Sequence, residues 1–282
     1  MRQHDYLSLG PGGFHRVAYT DRGDRACREP LVCVHGLTRN GRDFDALAEA
    51  LADRRRVVCP DVVGRGRSDW LADKNHYDYG LYTTDMAALL AHLDARRVDW
   101  VGTSMGGLIG LLLAATPNSP IRRLVLNDVG PHVPLAALRR IGDYVGADPS
   151  FATLDEATAY LKEIQAGFGA LDDAQWRHLA EHGTRRDPDG RWRLGHDPGI
   201  ARAFASVEAD VELWPVWHAV RCPVLVMRGA DSDVLLPETV ERMRAGGPPL
   251  TVVEWPGVGH APALMDGAQI GAIRAWLEET AA

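Results

Sequence analysis

Cysteine is scarce in this chain. There are four, at positions 27, 33, 59 and 222, and no two share a C-x-x-C spacing. That argues against a disulfide framework and against a zinc centre built on thiolates. Cys33, Cys59 and Cys222 lie in or beside apolar runs and read as small buried residues. Long apolar runs are missing too. Leu108–Ala115 is much shorter than the roughly 20 residues needed to cross a bilayer. The opening residues, Met1–Tyr6, contain no apolar export segment. The expectation is a cytoplasmic protein with reduced thiols and no membrane partner. Basic runs are also few. Net charge is −7, and only Arg54-Arg55-Arg56 stands out, read here as a solvated helix end. Nucleic acid is therefore not an expected partner. Neither internal repeats nor low-complexity segments are found.

What remains is ordinary globular material. At 282 residues and 46% hydrophobic, the chain suits one large domain, or one domain with an insertion. Tyr6–Leu9 and Phe14–Thr20 read as a hairpin turning at Gly10-Pro11-Gly12-Gly13. Short runs rich in Val, Leu and Cys follow at Leu31–Val34, Val57–Cys59, Val98–Val101 and Leu124–Leu126. Helical patterns lie between them: Phe44, Leu47, Ala48 and Leu51 share one helix face, and a longer helix is read at Tyr82–Ala95. Alternation of this kind predicts a parallel sheet with helices on both faces. The rhythm stops from about Gly130 to Arg221. There Thr153-Leu154-Asp155-Glu156 reads as a capping box opening a helix, and Asp173–Glu181 reads as a second helix. The rhythm resumes at Val224–Met227, with a helix from about Pro237 and a strand at Leu250–Trp255. A last helix carries Ile270, Ile273 and Leu277 on one face.

One stretch points to chemistry. Gly102-Thr103-Ser104-Met105-Gly106 joins the Val98–Val101 strand to a Leu- and Ala-rich helix. With seven serines and 29 glycines in the chain, G-x-S-x-G arises by chance roughly 0.07 times. A sharp strand-to-helix turn holds such a serine exposed, provided its neighbours are small. A serine hydroxyl needs a general base, and the base needs an acid to orient it. His260 is the candidate base, in the Gly257–Pro262 loop past the last strand. The residues alone leave three candidate acids: Asp231 and Asp233 after the Val224–Met227 strand, and Asp128 after the Leu124–Leu126 strand. Two backbone donors must hold a developing oxyanion. They are assigned to Met105, directly after the serine, and to Leu37, in the loop after Leu31–Val34.

These motifs, with His35-Gly36, Asp61–Ser68, Gly229–Pro237 and Gly259-His260, resemble the α/β-hydrolase superfamily in its capped, esterase-like form. The resemblance covers the chain outside 130–221. It implies an eight-stranded, mostly parallel sheet (residues 1–129 and 222–282) with a mostly helical cap, 130–221, inserted after the sixth strand. It also implies Asp233 as the acid, because the family's acid usually stands four residues before a proline, here Pro237. Relatives that cleave carbon–halogen bonds or epoxides use an aspartate nucleophile and are set aside by Ser104. The implied activity is hydrolysis of a small carboxylic ester through an acyl-enzyme, with neither cofactor nor metal. A lactonase, C–C bond hydrolase, acyltransferase or perhydrolase could use the same triad, and a small-molecule receptor could keep the same fold.

Overall fold

The computed structural model describes residues 1–279. Eight strands form one sheet: β1 (Arg2–Gly10), β2 (Gly13–Arg22), β3 (Leu31–Val34), β4 (Val57–Pro60), β5 (Val98–Thr103), β6 (Ile121–Asn127), β7 (Val224–Gly229) and β8 (Leu250–Trp255). Their spatial order is β1-β2-β4-β3-β5-β6-β7-β8. The β1–β2 hairpin is antiparallel and β2 runs antiparallel to β4, while every later pairing is parallel. From β3 the chain moves outward to β4, then returns to place β5 on the other side of β3. Ligand crevices of open parallel sheets form at such a reversal, beyond the carboxyl ends of the strands. The ends of β3 and β5 therefore face one crevice.

Side chains alternate across a strand, so a sheet covered on both faces needs apolar residues at successive positions. Val32, Val34, Trp100, Leu124, Leu126, Val224 and Val226 face one side. They pack there with Met86 and Leu89 of helix α2 (Tyr79–His92) and Ile109 and Leu111 of α3 (Met105–Ala115). Leu31, Cys33, Val101, Val125, Leu225 and Met227 face the other. They meet Leu47 and Leu51 of α1 (Asp45–Leu51) and Ile273 and Leu277 of the C-terminal helix (Gly267–Glu279). Each such aliphatic side chain contributes about 1.5–3 kcal/mol of burial. Two of the arginines read as a solvated helix end are tied down instead. Arg55 and Arg56 reach the buried carboxylates of Asp99 and Asp21, at 2.5 and 3.0 Å.

Segment 130–221 contains α4 (Leu135–Val145), α5 (Leu154–Ile164), α6 (Asp173–Gly183) and α7 (Trp214–Ala219). It also holds more strand than its sequence suggests. Ser150–Phe151, Thr184–Arg186 and Trp192–Leu194 form a small antiparallel sheet, and His132–Val133 pairs with Val211–Glu212. Thr153 caps α5 by accepting the Glu156 N–H, but the Glu156 carboxylate turns to the Ala152 N–H. The complete capping box lies at α6, between Asp172 and Gln175. Part of the segment has its own core of Phe151, Ala157, Leu161, Ala180 and Leu194. Trp214 and Trp217 instead join the main core.

Candidate active site

Ser104 sits between β5 and α3 with φ 51° and ψ −116°. A side chain is strained there by about 1–3 kcal/mol, so the surroundings must over-determine the turn. They do so by backbone crowding. A Cβ on Gly102 would lie 2.3 Å from the Gly106 carbonyl, and one on Gly106 would lie 2.0 Å from the Val34 oxygen. The Ser104 N–H donates to the Asn127 carbonyl, and the Ser104 carbonyl accepts from Gly107 and Leu108. The Asn127 side chain donates to Thr103 Oγ1 and to the Pro262 carbonyl, linking the serine turn to the histidine loop.

The expected serine and histidine meet. Ser104 Oγ lies 2.9 Å from His260 Nε2. His260 Nδ1 lies 2.7 Å from Oδ2 of Asp128. The expectation of Asp233 as the acid is thus corrected, and Asp231 does not take the place either. Both are exposed, and Asp233 is held by Arg140 through two hydrogen bonds of 2.6 and 2.8 Å. The reason lies in the sheet. β6 and β7 are neighbours paired through Asn127 and Met227, so Asp128, in a left-handed turn at φ 57°, points across the end of β7. There its Oδ1 accepts the Gly229 N–H and its Oδ2 accepts the Ser232 hydroxyl, at 2.8 and 2.6 Å. The end of β7 and the loop after it supply the donors that hold a fully buried carboxylate, rather than the carboxylate itself.

Leu37 lines the same cavity as Ser104 and His260. Met105 opens α3, where first-turn N–H groups have no partner within the helix. Arg65, fully buried, ties the two together. Its Nε donates to the Leu37 carbonyl, its Nη1 to the Val63 carbonyl and the Tyr82 hydroxyl, and its Nη2 lies 3.5 Å from Met105 Sδ. Its place in a Gly-rich loop conceals that role in the sequence.

His35 shapes the Leu37 loop from below. Its Nδ1 donates to the Gly36 carbonyl and its Nε2 accepts the Val62 N–H, at 2.7 and 2.9 Å, which requires the neutral ring. Burial pushes its pKa from 6.5 down to about 3. The unfolded chain therefore binds a proton across that window while the native protein does not. The native state loses stability as pH falls through the window, by up to about 1.4 kcal/mol per pH unit. His35→Gln keeps an acceptor for Val62 without titrating. Its urea midpoint should decline less steeply than that of the native protein between about pH 6 and 4.5. Equal slopes would refute the assignment.

The cavity that contains Ser104 is lined from segment 130–221 by Ile141 and Tyr144 of α4, Ile164 of α5, Gln165, Phe168 and Leu179 of α6. Of the aromatic residues in and beside this segment, Phe168 lines the cavity, while Trp192 packs against the segment's own core and Trp214 joins the main core. The short turn Ala166–Phe168 also holds the histidine loop, because the Gly259 N–H donates to the Gly167 carbonyl. Among the described residues, two groups have metal-ligand geometry. In one, Asp45 with His178 and His182, the Arg42 guanidinium already occupies the carboxylate. In the other, His132 with Asp210 and Glu212, Asp210 caps the Leu135 N–H and Glu212 holds His132.

Comparison with known proteins gives a consistent picture. A family model described as the alpha/beta hydrolase family matches residues 31–271. A 3-hydroxybutyrate-oligomer hydrolase of Cupriavidus necator is 50% identical over 93% of this chain and 92% of its own length. A 2-(acetamidomethylene)succinate hydrolase of Mesorhizobium japonicum is 29% identical over 82% of this chain and 81% of its own. The crystal structure of an alpha/beta hydrolase from Novosphingobium aromaticivorans superimposes with a TM-score of 0.88, at 37% identity and 98% coverage of both chains.

Proposed function

Since this chain belongs to the alpha/beta hydrolase family, and is a hydrolase of that fold, we propose that it cleaves the ester bonds of short 3-hydroxybutyrate oligomers through an acyl-enzyme. The observation that carries the reading is the contact chain Asp128–His260–Ser104, at 2.7 and 2.9 Å. The substrate comes from the 50% identical relative. His260 Nε2 takes the Ser104 proton as Oγ attacks the ester carbonyl. Asp128 keeps the Nδ1–H in place and offsets the charge of the imidazolium. The Met105 and Leu37 N–H groups hold the oxyanion, and Arg65 fixes their separation. His260 then gives its proton to the departing alcohol oxygen, and a water repeats the sequence on the acyl-enzyme. Segment 130–221 serves as the cap, its α4–α6 side chains forming the roof that keeps bulk water from the acyl group. Among the described residues, no helix is long and apolar enough to cross a membrane.

The test is a substrate panel read by kcat/KM and product chromatography. The purified protein should release 3-hydroxybutyrate from the linear dimer and trimer far faster than it opens a lactone or cleaves a long-chain triglyceride. Efficient lactone opening with no cleavage of the linear oligomers would overturn the substrate assignment.

A further inference from the structure

Asp233 has lost the role expected of it, yet its carboxylate is fully engaged. Both oxygens bind Arg140, which projects from α4 into the cavity that contains Ser104 and His260. We infer that Arg140, held by Asp233, is a carboxylate-binding subsite that selects esters carrying a free acid end. The inference rests on the ester-hydrolase reading above and adds to it the feature of the substrate that is recognised.

The charges on the cavity wall support it. Apart from His260, the acidic and basic side chains that line it are Arg39, Asp43 and Arg140. Arg39 and Asp43 satisfy each other through two hydrogen bonds of 2.8 and 2.7 Å, whereas Arg140 takes its counter-charge from Asp233, which is not part of the lining. Asp233 takes its Nε–H and one Nη2–H. A guanidinium has five N–H donors in a planar fork, so three remain beyond Asp233; the Tyr144 hydroxyl, which lines the same cavity, shares this group, and the donors it leaves can meet another carboxylate. Partial burial by itself would lower the Arg140 pKa, but the Asp233 carboxylate and, after it, the Tyr144 hydroxyl together more than offset this and hold it above the ordinary value. The group is thus a fixed cation, aimed by its partner, in a site walled by Ile141, Ile164, Phe168 and Leu179.

A second observation concerns the other end of such a substrate. Gln165 lines the same cavity and is 8% exposed, and its Oε1 has no hydrogen-bond partner. A buried acceptor left unmet costs about 1–3 kcal/mol; the oxygen is closed off in this conformation, so a ligand hydroxyl meets it only once the Gln165 side chain turns into the cavity. A linear hydroxy-acid ester carries both complements, a carboxylate on its alcohol portion and a hydroxyl on its acyl portion. Arg140 receives the first and Gln165 the second.

The experiment compares cleavage of the internal ester of the 3-hydroxybutyrate dimer with that of its methyl ester, which lacks the negative charge. The native protein should prefer the free acid, mainly through KM. In Arg140→Gln the preference should fall by about 10- to 100-fold, the worth of a charged hydrogen-bond pair. Arg140→Lys should restore part of it, as a point charge without the fork. Gln165→Leu should lower kcat/KM for the hydroxyl-bearing dimer more than for the butyrate ester of 3-hydroxybutyrate. An acid-to-methyl-ester ratio that is the same in the native protein and Arg140→Gln overturns the subsite. Turnover of p-nitrophenyl butyrate by the native protein separates that result from failure of the ester-hydrolase reading. Calorimetric binding of 3-hydroxybutyrate, set against 3-hydroxybutyramide, tests the subsite without turnover. The anion should bind more tightly to the native protein, and equal binding of the two would refute the proposal.

Discussion

Asp128→Asn should lower kcat for ester hydrolysis by about four orders of magnitude, the cost of the equivalent change in a serine protease. An amide at this position can still occupy the space between the Gly229 N–H and the Ser232 hydroxyl, so the fold should hold. It can no longer stabilise a protonated His260, and it favours the ring tautomer that presents the wrong nitrogen to Ser104. Asp233→Asn should behave differently. Its side chain meets Arg140 on the rim of the cavity. The loss should be less than about tenfold in kcat and fall chiefly on KM for acidic substrates, because a remote group acts through binding. If Asp233→Asn is the inactive protein and Asp128→Asn the active one, the relay drawn here is wrong.

Ser104→Ala should remove about 10⁶ of kcat, as loss of the nucleophile does in a serine protease. Its effect on stability should be small. The Ser104 side chain has one hydrogen bond, to His260, and the turn is held by the backbone contacts of Gly102 and Gly106. The change in unfolding free energy should stay within about 1.5 kcal/mol, the worth of one hydrogen bond. The check is paired urea denaturation and single-turnover kinetics on the two proteins.

Much of this architecture is readable from residue pattern because its causes are local. Continuous apolar runs mark strands covered on both faces, and Leu31–Val34 and Val224–Met227 are buried at every position. Ser104 is legible because a tight turn demands Gly102 and Gly106 at fixed spacings. His260 is legible because it follows the last strand. The acid is not legible, since the choice between Asp128 and Asp233 depends on which carboxylate lies across a neighbouring strand. Spacing to Pro237 describes a loop, whereas the pairing of β6 with β7 brings Asp128 to Gly229, 101 positions away. Arg65 is hidden for the same reason. Its partners Leu37, Val63, Tyr82 and Met105 converge only when β3, the β4 loop, α2 and α3 are packed together.

The most direct measurement is the rate and position of phosphonylation by a fluorophosphonate, which requires an activated serine and no particular ester. Intact-mass kinetics and peptide mapping should place one adduct per chain on Ser104 in the native protein. Labelling of Asp128→Asn should reach the same residue far more slowly, and Ser104→Ala should gain no adduct. An adduct on another residue, or a native protein and Asp128→Asn that label at equal rates, would contradict the relay from Asp128 through His260 to Ser104.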